Sequence, residues 1–493
     1  MNKPIIFKKW IINLLAGVLM LGAAVVTVPG ISSAADPFRI ALITDQTGPV
    51  ASLGVPLMNG FQAAIAQAND AGGVLGKKIV VDSMNDNSDL SVAQTDVQTA
   101  ISNGDLGIFG GMNSGVWGSL GASAAQNHIA EVTVGATDGL LYPPQPYVYR
   151  SQAGAHDFSY TMIGFVKDLI AQKKLPKMPK VAVYIYSSAT TQMMASDFTA
   201  ILGQLGWPLV SSQTFSPSST NNSVQSAAIG AAKPDVILAA WLDTNAGANM
   251  TSLIQNGFTG PVVDFVGASA PGTYTSINNP NYYAQTAYVY PSAVSIPAVV
   301  TMNKAGVKSG WTTGANSPWF TQGYVQGLTA LAALKKCGVN CTSILLNDAL
   351  DNLGPVTDAA SLAYKPSFTP ASHELVGGLQ FFHLDKADGS LVAAGNWVPL
   401  ISNGATAPPS TIGITGVASH GKTASLKVLG LNFDDTKPTV TSSAAGTKVR
   451  VTKVLSTSLA LSVTTPAGTR KGSYVLTIEF DADTVTKIKY SVN

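Results

Sequence analysis

The sequence predicts an α/β protein of two doubly wound lobes followed by an all-β sandwich. Three observations carry this. From Arg39 onward, apolar runs of strand length alternate with segments of helix length. The same rhythm restarts at Lys180, after a first series has ended. Beyond about residue 404 helical periodicity vanishes, and short alternating segments separated by turn residues take over.

The chain opens on a basic segment with Lys3, Lys8 and Lys9, then a mostly apolar run from Trp10 to Val28. Pro29 and Gly30 break the run, and Ser32-Ser33-Ala34-Ala35 offers small residues for cleavage. This order reads as a signal peptide over residues 1–35. An uncleaved anchor is the alternative, because the run approaches a membrane span of about 20 residues. No Cys lies in the segment, which excludes lipid attachment at a signal-peptide cysteine.

The full chain has 29 basic and 27 acidic residues, and losing the three n-region lysines leaves 26 against 27. A near-neutral chain with no basic stripe argues against a nucleic-acid partner. Charged residues make up 11%, well below the ~25% of ordinary soluble domains, so Ser, Thr, Asn and Gln supply much of the polar surface.

The first two strand–helix units occupy Phe38 to about Asp138. RIALITDQTGPVASLG leads into a helix expected over Leu57–Asp70, then AGGVLGKKIVV. LGIFGGMNSG leads into a small-residue helix and EVTVGATDG. In a parallel sheet such loops leave the carboxyl ends of the strands, where open α/β folds bind ligands. Gly and Ser there let a ligand approach backbone N–H groups at helix N-termini, which suits a carboxylate or another anion.

The second series is VAVYIYSS, DFTAILGQLGW, PDVILAAWLD, NAGANMTSLIQNGF and PVVDFVGASAPG. Continuous apolar strands followed by helices indicate a parallel sheet covered on both faces. About 370 residues up to position 403 suit two lobes rather than one domain. Residues 288–297 read as extended, and WFTQGYVQGLTALAALKKCG as a long helix. ELVGGLQFFHLDKADGSLVAAGNWVPLI reads as a hairpin turning at Asp388-Gly389. SNGATAPPST is a linker, and ASLKVLGLNF, TKVRVTKVL, SLALSVTTP, SYVLTIEF and TKIKYSV are strands of the sandwich.

Cys337 and Cys341 are the only cysteines. Both lie in KKCGVNCTS, where an exported chain would close a local disulfide. Metal binding is the poorer reading, since two Cys without a nearby His make a weak zinc set, and redox motifs use two intervening residues where this chain has three. No cofactor is indicated. A hydrolase would need a nucleophile elbow, but GMNSG sets its Ser one place late and GASAP lacks the final Gly. HELVG has no second His at zinc spacing, so His373-Glu374 reads as a strand-edge pair. DKADG lacks the acids of a calcium loop. His128, His156, His383 and His420 are scattered, with solvated or satisfied roles as the default.

From Arg39 to about Leu400 the chain resembles the periplasmic binding proteins of the branched-chain amino-acid type. The resemblance rests on the order of TGPVASLG, NDAGGVLGKK, NDNSD at 85–89, GIFGGMNSG, VTVGATD, VYRSQAGAHDF, KVAVYIYSS, PDVILAAW and IQNGFTGPVV. It implies the type I fold: lobe one at about 36–153 and 290–368, lobe two at about 154–289 and 369–403, joined by three crossovers. It also implies a ligand held between the lobes, an ABC permease in the inner membrane as partner, a periplasmic or secreted location, and no catalysis. A ligand-sensing receptor subunit is the alternative, and a secreted hydrolase a remote one. Residues 404–493 resemble a linker and an immunoglobulin-like module of the IPT/TIG kind, on ITGV, VLGLNF and SLALSVTTPAGTRKGSYVLTI.

By this resemblance Ser114 and Thr137 grip a ligand carboxylate, Gly135 offers a carbonyl to a ligand amine, and Asn113 and Ala136 flank them. Turn formation is the plain alternative for Ser114 and Thr137. The second lobe departs from the family. Gly267-Ala268-Ser269 stands where amino-acid binders place a carboxylate. Aromatic positions appear as Leu53 and Thr190, with Tyr186 nearby, and as Trp241 or Leu242. A buried ammonium without a charged partner is costly. A free amino acid therefore requires Asp138, Asp243 or Asp264 as substitute, and an amide or a carboxylate fits as well.

Overall fold

The structure is a computed structural model that describes residues 36–135, 138, 141, 144–311, 316–385, 390–400, 410–431, 438–455, 458–479 and 485–493. The expected signal peptide, Ala136, Thr137, the expected turn at Asp388-Gly389 and most of the expected linker lie outside the described residues.

The first sheet holds β1 (Phe38–Thr44), β2 (Ile79–Asn85), β3 (Gly107–Gly110), β4 (Ala130–Thr133) and β5 (Val148–Arg150), all parallel, in the order β2-β1-β3-β4-β5. Its first three helices are α1 (Ala51–Asp70), α2 (Leu90–Asn103) and α3 (Ser114–Asn127). Ile43 pairs with Met84 and Gly110, and Gly110 with Thr133, so the loops after these four strands share one edge. The first helix starts six residues before the expected Leu57 and carries Pro56 inside it. Pro lacks only one helical N–H, and the turn ahead of it is held by Leu53 and Gly54 N–H groups donating to the Val50 carbonyl.

The second sheet is mixed. Its parallel part is β6 (Val181–Tyr186), β7 (Leu209–Phe215), β8 (Val236–Ala240), β9 (Val262–Asp264) and β10 (Tyr282–Thr286). The helices of this part are α4 (Ala155–Ala171), α5 (Ala189–Leu205), α6 (Ser223–Ala232), α7 (Asp243–Gln255) and α8 (Pro271–Ile277). Strand runs such as VILAA are buried along their whole length, which is why no alternation marks them.

The chain then returns to the first body. The helices α9 (Pro297–Lys308), α10 (Pro318–Cys337) and α11 (Ser343–Asp351) follow, and α10 packs against α1. Gly60 and Gly323 make that crossing possible. A Cβ at Gly60 would stand 2.0 Å from the Phe320 oxygen, and one at Gly323 would stand 1.8 Å from the Leu57 oxygen. A small ladder of β11 (Gly354–Pro355) and β12 (Ser367–Phe368) precedes a second return. There β13 (Gly378–Leu384) adds antiparallel to β10, and pairs in turn with β14 (Leu391–Ala393) and β15 (Val398–Pro399). The expected hairpin is thus an antiparallel edge on a parallel sheet.

Two of the crossings between the sheets run side by side. The Arg150 N–H donates to the His373 carbonyl at 2.8 Å, and the Leu375 N–H donates to the Arg150 carbonyl at 2.8 Å. Arg150 is 1% exposed and pairs with Asp138 at 2.8 Å and with Glu374 at 3.0 Å. His373 donates from Nδ1 to the Val148 carbonyl at 2.8 Å, and its Nε2 lies 2.9 Å from Asp351. The expected strand-edge pair at His373-Glu374 is instead a buried pair in a crossing, because both side chains meet polar partners from an adjoining crossing. Tyr288, from the remaining crossing, donates to the Ser151 carbonyl. Gln322 and Gln326 of α10 also donate to Ser151, at 3.2 and 2.7 Å.

Cys337, the last residue of α10, forms a disulfide with Cys341, spanning a Cα–Cα distance of 5.3 Å. So short a loop restricts the unfolded chain little, by about 2 kcal/mol in the chain-entropy picture. Reduction is expected to lower the melting temperature by a few degrees and leave ligand affinity unchanged. Calorimetric scans with and without reductant check this, and a loss of affinity on reduction would contradict it.

The C-terminal residues form two antiparallel sheets. One is β16 (Ser410–Thr415), β17 (Thr423–Leu431), β19 (Lys448–Leu455) and β20 (Ser458–Thr464), and the other β18 (Thr439–Ser442), β21 (Gly472–Glu479) and β22 (Val485–Val492). Leu426, Val428 and Leu461 from the first sheet share an apolar cluster with Leu476, Ile478 and Tyr490 from the second. All five strands expected from the alternation are present. The strands β16 and β18 are additional, and β16 lies where the linker was expected to run out.

Candidate functional site

One cavity of about 90 Å³ is lined from the carboxyl ends of both large sheets. On this measure a single water needs roughly 10–15 Å³, so the space suits a small organic molecule. The first body contributes Pro49, Val50 and Leu53 around the start of α1, Met112, Asn113 and Ser114 after β3, Val134 after β4, and Trp319 of α10. The second contributes Phe158 of α4, Tyr186 to Ser188 and Thr190 after β6, Pro217 after β7, and Phe265 to Gly267 after β9. Gln152 comes from the crossing between them.

Local chemistry explains why these residues stand there. Asn113 caps α3 by accepting the Gly115 N–H at 3.0 Å and the Val116 N–H at 3.3 Å. That places Ser114 in the first turn, at the positive end of the helix. Ser188 caps α5 in a reciprocal box with Thr191. Ser317 caps α10 and Pro318 takes its first turn, so Trp319 is carried on the helix start. Asp45, beneath the first loop, accepts the Gly48 and Val50 N–H groups and shapes its turn.

The lining is apolar apart from amide and hydroxyl groups. No Asp, Glu, His, Lys or Arg lines it among the described residues. The three acids considered as ammonium partners are held elsewhere. Asp138 binds Arg150 and the His156 N–H. Asp243 accepts from the Ala270 N–H and the Thr273 hydroxyl, while burial pushes it up to about 6. Asp264 accepts from the Trp241 N–H, the Phe265 N–H and the Tyr282 hydroxyl, while burial pushes it up to about 7. Two residues of the lining each carry a fully buried polar atom without a hydrogen-bond partner among the described residues: Thr190 (Oγ1) and Trp319 (Nε1). The two residues are 3% and 4% exposed.

Of the residues expected from sequence, Leu53, Asn113, Ser114 and Tyr186 come together on this lining. Gly135 borders a smaller neighbouring cavity instead. Trp241 is fully buried in the second-sheet core, stacked on Tyr282. Ser269 is also buried, its hydroxyl donating to the Val266 carbonyl. Ala136 and Thr137 lie outside the described residues. Sequence reasoning missed Phe158, Phe265 and Trp319. The Ser-Pro-Trp start of α10 was the only local signal for Trp319.

A family model for the periplasmic binding proteins matches residues 37–390. The Leu/Ile/Val-binding protein BraC3 of Rhizobium johnstonii is 33% identical over 98 residues, which is 20% of this chain and 27% of that protein. The chain thus spans about a quarter of that relative's length in the match. Among solved structures, a branched-chain amino-acid ABC transporter protein from Thermus thermophilus with bound valine aligns at TM-score 0.67 and 15% identity, covering 74% of this chain and 97% of that one. A fatty acid ABC transporter substrate-binding protein from Thermomonospora curvata aligns at TM-score 0.62 and 20% identity, covering 74% and 92%. These structural matches show a shared fold.

Proposed function

Because the chain belongs to the periplasmic binding protein family, we propose that it is the extracytoplasmic solute-binding protein of an ABC importer. It captures a small amino acid, amide or carboxylate between two lobes and presents it to a permease in the inner membrane. The observation that carries this is a cavity lined by loops from both sheets. A ligand touching both walls stabilises the closed arrangement over any open one, since it gains contacts only there. The hinge strands at 150 and 373–375 are the element about which such a change would turn.

The lobe boundaries at about 153, 289 and 368, and the export of the chain after residue 35, are part of the same proposal. So is the reading of residues 404–493 as a linker and an IPT/TIG-like immunoglobulin module, which the two antiparallel sheets with a common apolar cluster support.

Ser114 tests the capture site. A hydrogen bond to a charged group contributes roughly 1.5–3 kcal/mol. Ser114→Ala is expected to weaken a carboxylate ligand about ten- to a hundredfold, with the melting temperature of the ligand-free protein unchanged. A thermal-shift screen of amino acids, amides and carboxylates supplies the ligand, and calorimetric titration reads the change. Equal affinities for the two proteins would reject Ser114 as a ligand contact.

A further inference from the structure

We propose that the outer face of the four-stranded C-terminal sheet binds an acidic polysaccharide through Lys427, Lys448, Arg450 and Lys453. The near-neutral total of the chain conceals an uneven split. Residues 36–409 hold 16 basic and 22 acidic residues, whereas residues 410–493 hold ten basic and five acidic ones. A basic module is thus joined to an acidic binding body.

The strand register gathers four of the ten cations on one surface. Leu426, Val428, Leu459, Leu461 and Val463 turn into the apolar cluster, so their neighbours in sequence turn outward. Arg450 pairs with Ser462 and Ser462 with Ser425, while Lys448 pairs with Thr464 and Thr464 with Thr423. A bulge between Val451 and Lys453 takes up one residue. Lys453 therefore returns to this face opposite Ala460, whose partner on the other side is Lys427. Lys448, Arg450 and Lys453 are exposed, and Lys427 is half-exposed. None of the four side chains has an ion partner among the described residues. Glu479, the one acid among the described residues of the module, lies on β21 of the other sheet.

Lysines on an edge strand such as β19 also guard against unwanted pairing. Lys427 stands on the inner strand β17, however, and ordinary surfaces intersperse both signs of charge. Side chains on one face of a strand are about 7 Å apart and neighbouring strands about 4.8 Å apart, so one extended polyanion can meet all four cations. The hydroxyls between them can donate to and accept from sugar oxygens. From Thr423 to Lys427, and across to Lys448 and Lys453, the face bears no aromatic ring on which a base could stack. It bears no apolar side chain larger than that of Ala460 to enter a bilayer. A flat, cationic, hydroxyl-bearing surface fits a hydrated chain of acid sugars better than a nucleic acid or a lipid surface.

Binding of the full chain to alginate, a polyuronate, tests this. Neutral dextran is the control, and phosphatidylglycerol vesicles and duplex DNA are rival anions at equal charge concentration. Alginate is expected to bind and dextran not. The affinity should fall about tenfold between about 50 and about 200 mM salt, as exposed charges are screened. The triple variant Lys448→Gln/Arg450→Gln/Lys453→Gln is expected to bind alginate about tenfold more weakly, with its melting temperature unchanged. Lys427→Gln, on another strand, should weaken it about threefold and stays informative if the triple variant folds poorly. Lys173→Gln/Lys177→Gln/Lys180→Gln removes the same charge from exposed positions of the second body, and should change alginate affinity less than about twofold. Equal losses in the two triple variants would show a response to net charge alone and overturn the assignment to this sheet. Tighter binding to the vesicles or to DNA would overturn the polysaccharide as partner. No binding to alginate would overturn the inference and leave solute capture standing.

Discussion

Arg150→Met is expected to destabilise the protein by about 3–5 kcal/mol, the usual loss when one partner of a buried ion pair is removed. The guanidinium is 1% exposed and binds Asp138 and Glu374, themselves 4% and 2% exposed. Methionine fills part of the volume but takes the guanidinium away from both buried acids. They must then take up protons or admit water, and either route favours the unfolded chain. Because Arg150 lies in a crossing that is hydrogen-bonded to residues 373–375, the loss should also appear as faster hydrogen exchange in residues 148–151 and 373–376. Denaturant unfolding gives the magnitude. A change under about 1 kcal/mol would mean that the network contributes little beyond packing.

Glu131 gives the second large effect, with a defined pH window. It lies in β4, is fully buried, and neither carboxyl oxygen has a hydrogen-bond partner among the described residues. It borders a cavity of about 10 Å³ together with Thr133, Tyr149 and Arg150, whose guanidinium is engaged by Asp138 and Glu374. Burial pushes its pKa from 4.5 up to about 8. Between those values the folded protein holds a proton that the unfolded chain has released. Stability must therefore fall as pH rises through that window, and level off above it. Each unit corresponds to about 1.36 kcal/mol, so the full loss is on the order of 5 kcal/mol. Glu131→Gln cannot ionise and should lack this slope. Melting curves at pH 5 and pH 8 are expected to show the variant gaining on the natural protein as pH rises. Parallel pH profiles would show that the carboxylate has a compensating partner.

Much of the fold was legible because strands and helices here obey local rules. The run from Val236 to Ala240 is entirely buried and reads as a parallel strand from composition alone. The start of α1 was not legible. Pro56 and Gly54 signal a loop, yet both lie in the helix, and glycine stands at 54 because a Cβ there would meet the Asp45 oxygen at 1.9 Å. That constraint belongs to packing against the first loop. The site divided in the same way. Asn113 and Ser114 follow a strand and open a helix, so the sequence points to them. Trp319 reaches the cavity only because α10 returns across α1, which no local pattern encodes. Trp241 looked equally suited from its position after a strand, but its ring turns into the second-sheet core. Side-chain direction at a strand end depends on one residue of register, and the sequence leaves that open.

The Gly60 and Gly323 crossing also bears on the order of assembly. The helix that covers α1 is encoded after the whole second parallel sheet, and β5 is held by residues 373–375, later still. A chain emerging from the ribosome can complete the parallel sheet β6–β10 while the first sheet still lacks a cover. Leu57 and Phe61, fully buried in the finished protein, would face water or a chaperone in the interim. Closing such a long loop is slow, and partly formed sheets are prone to aggregate. Vectorial synthesis therefore leaves the amino-terminal sheet to mature after the parallel sheet β6–β10, although it is made first.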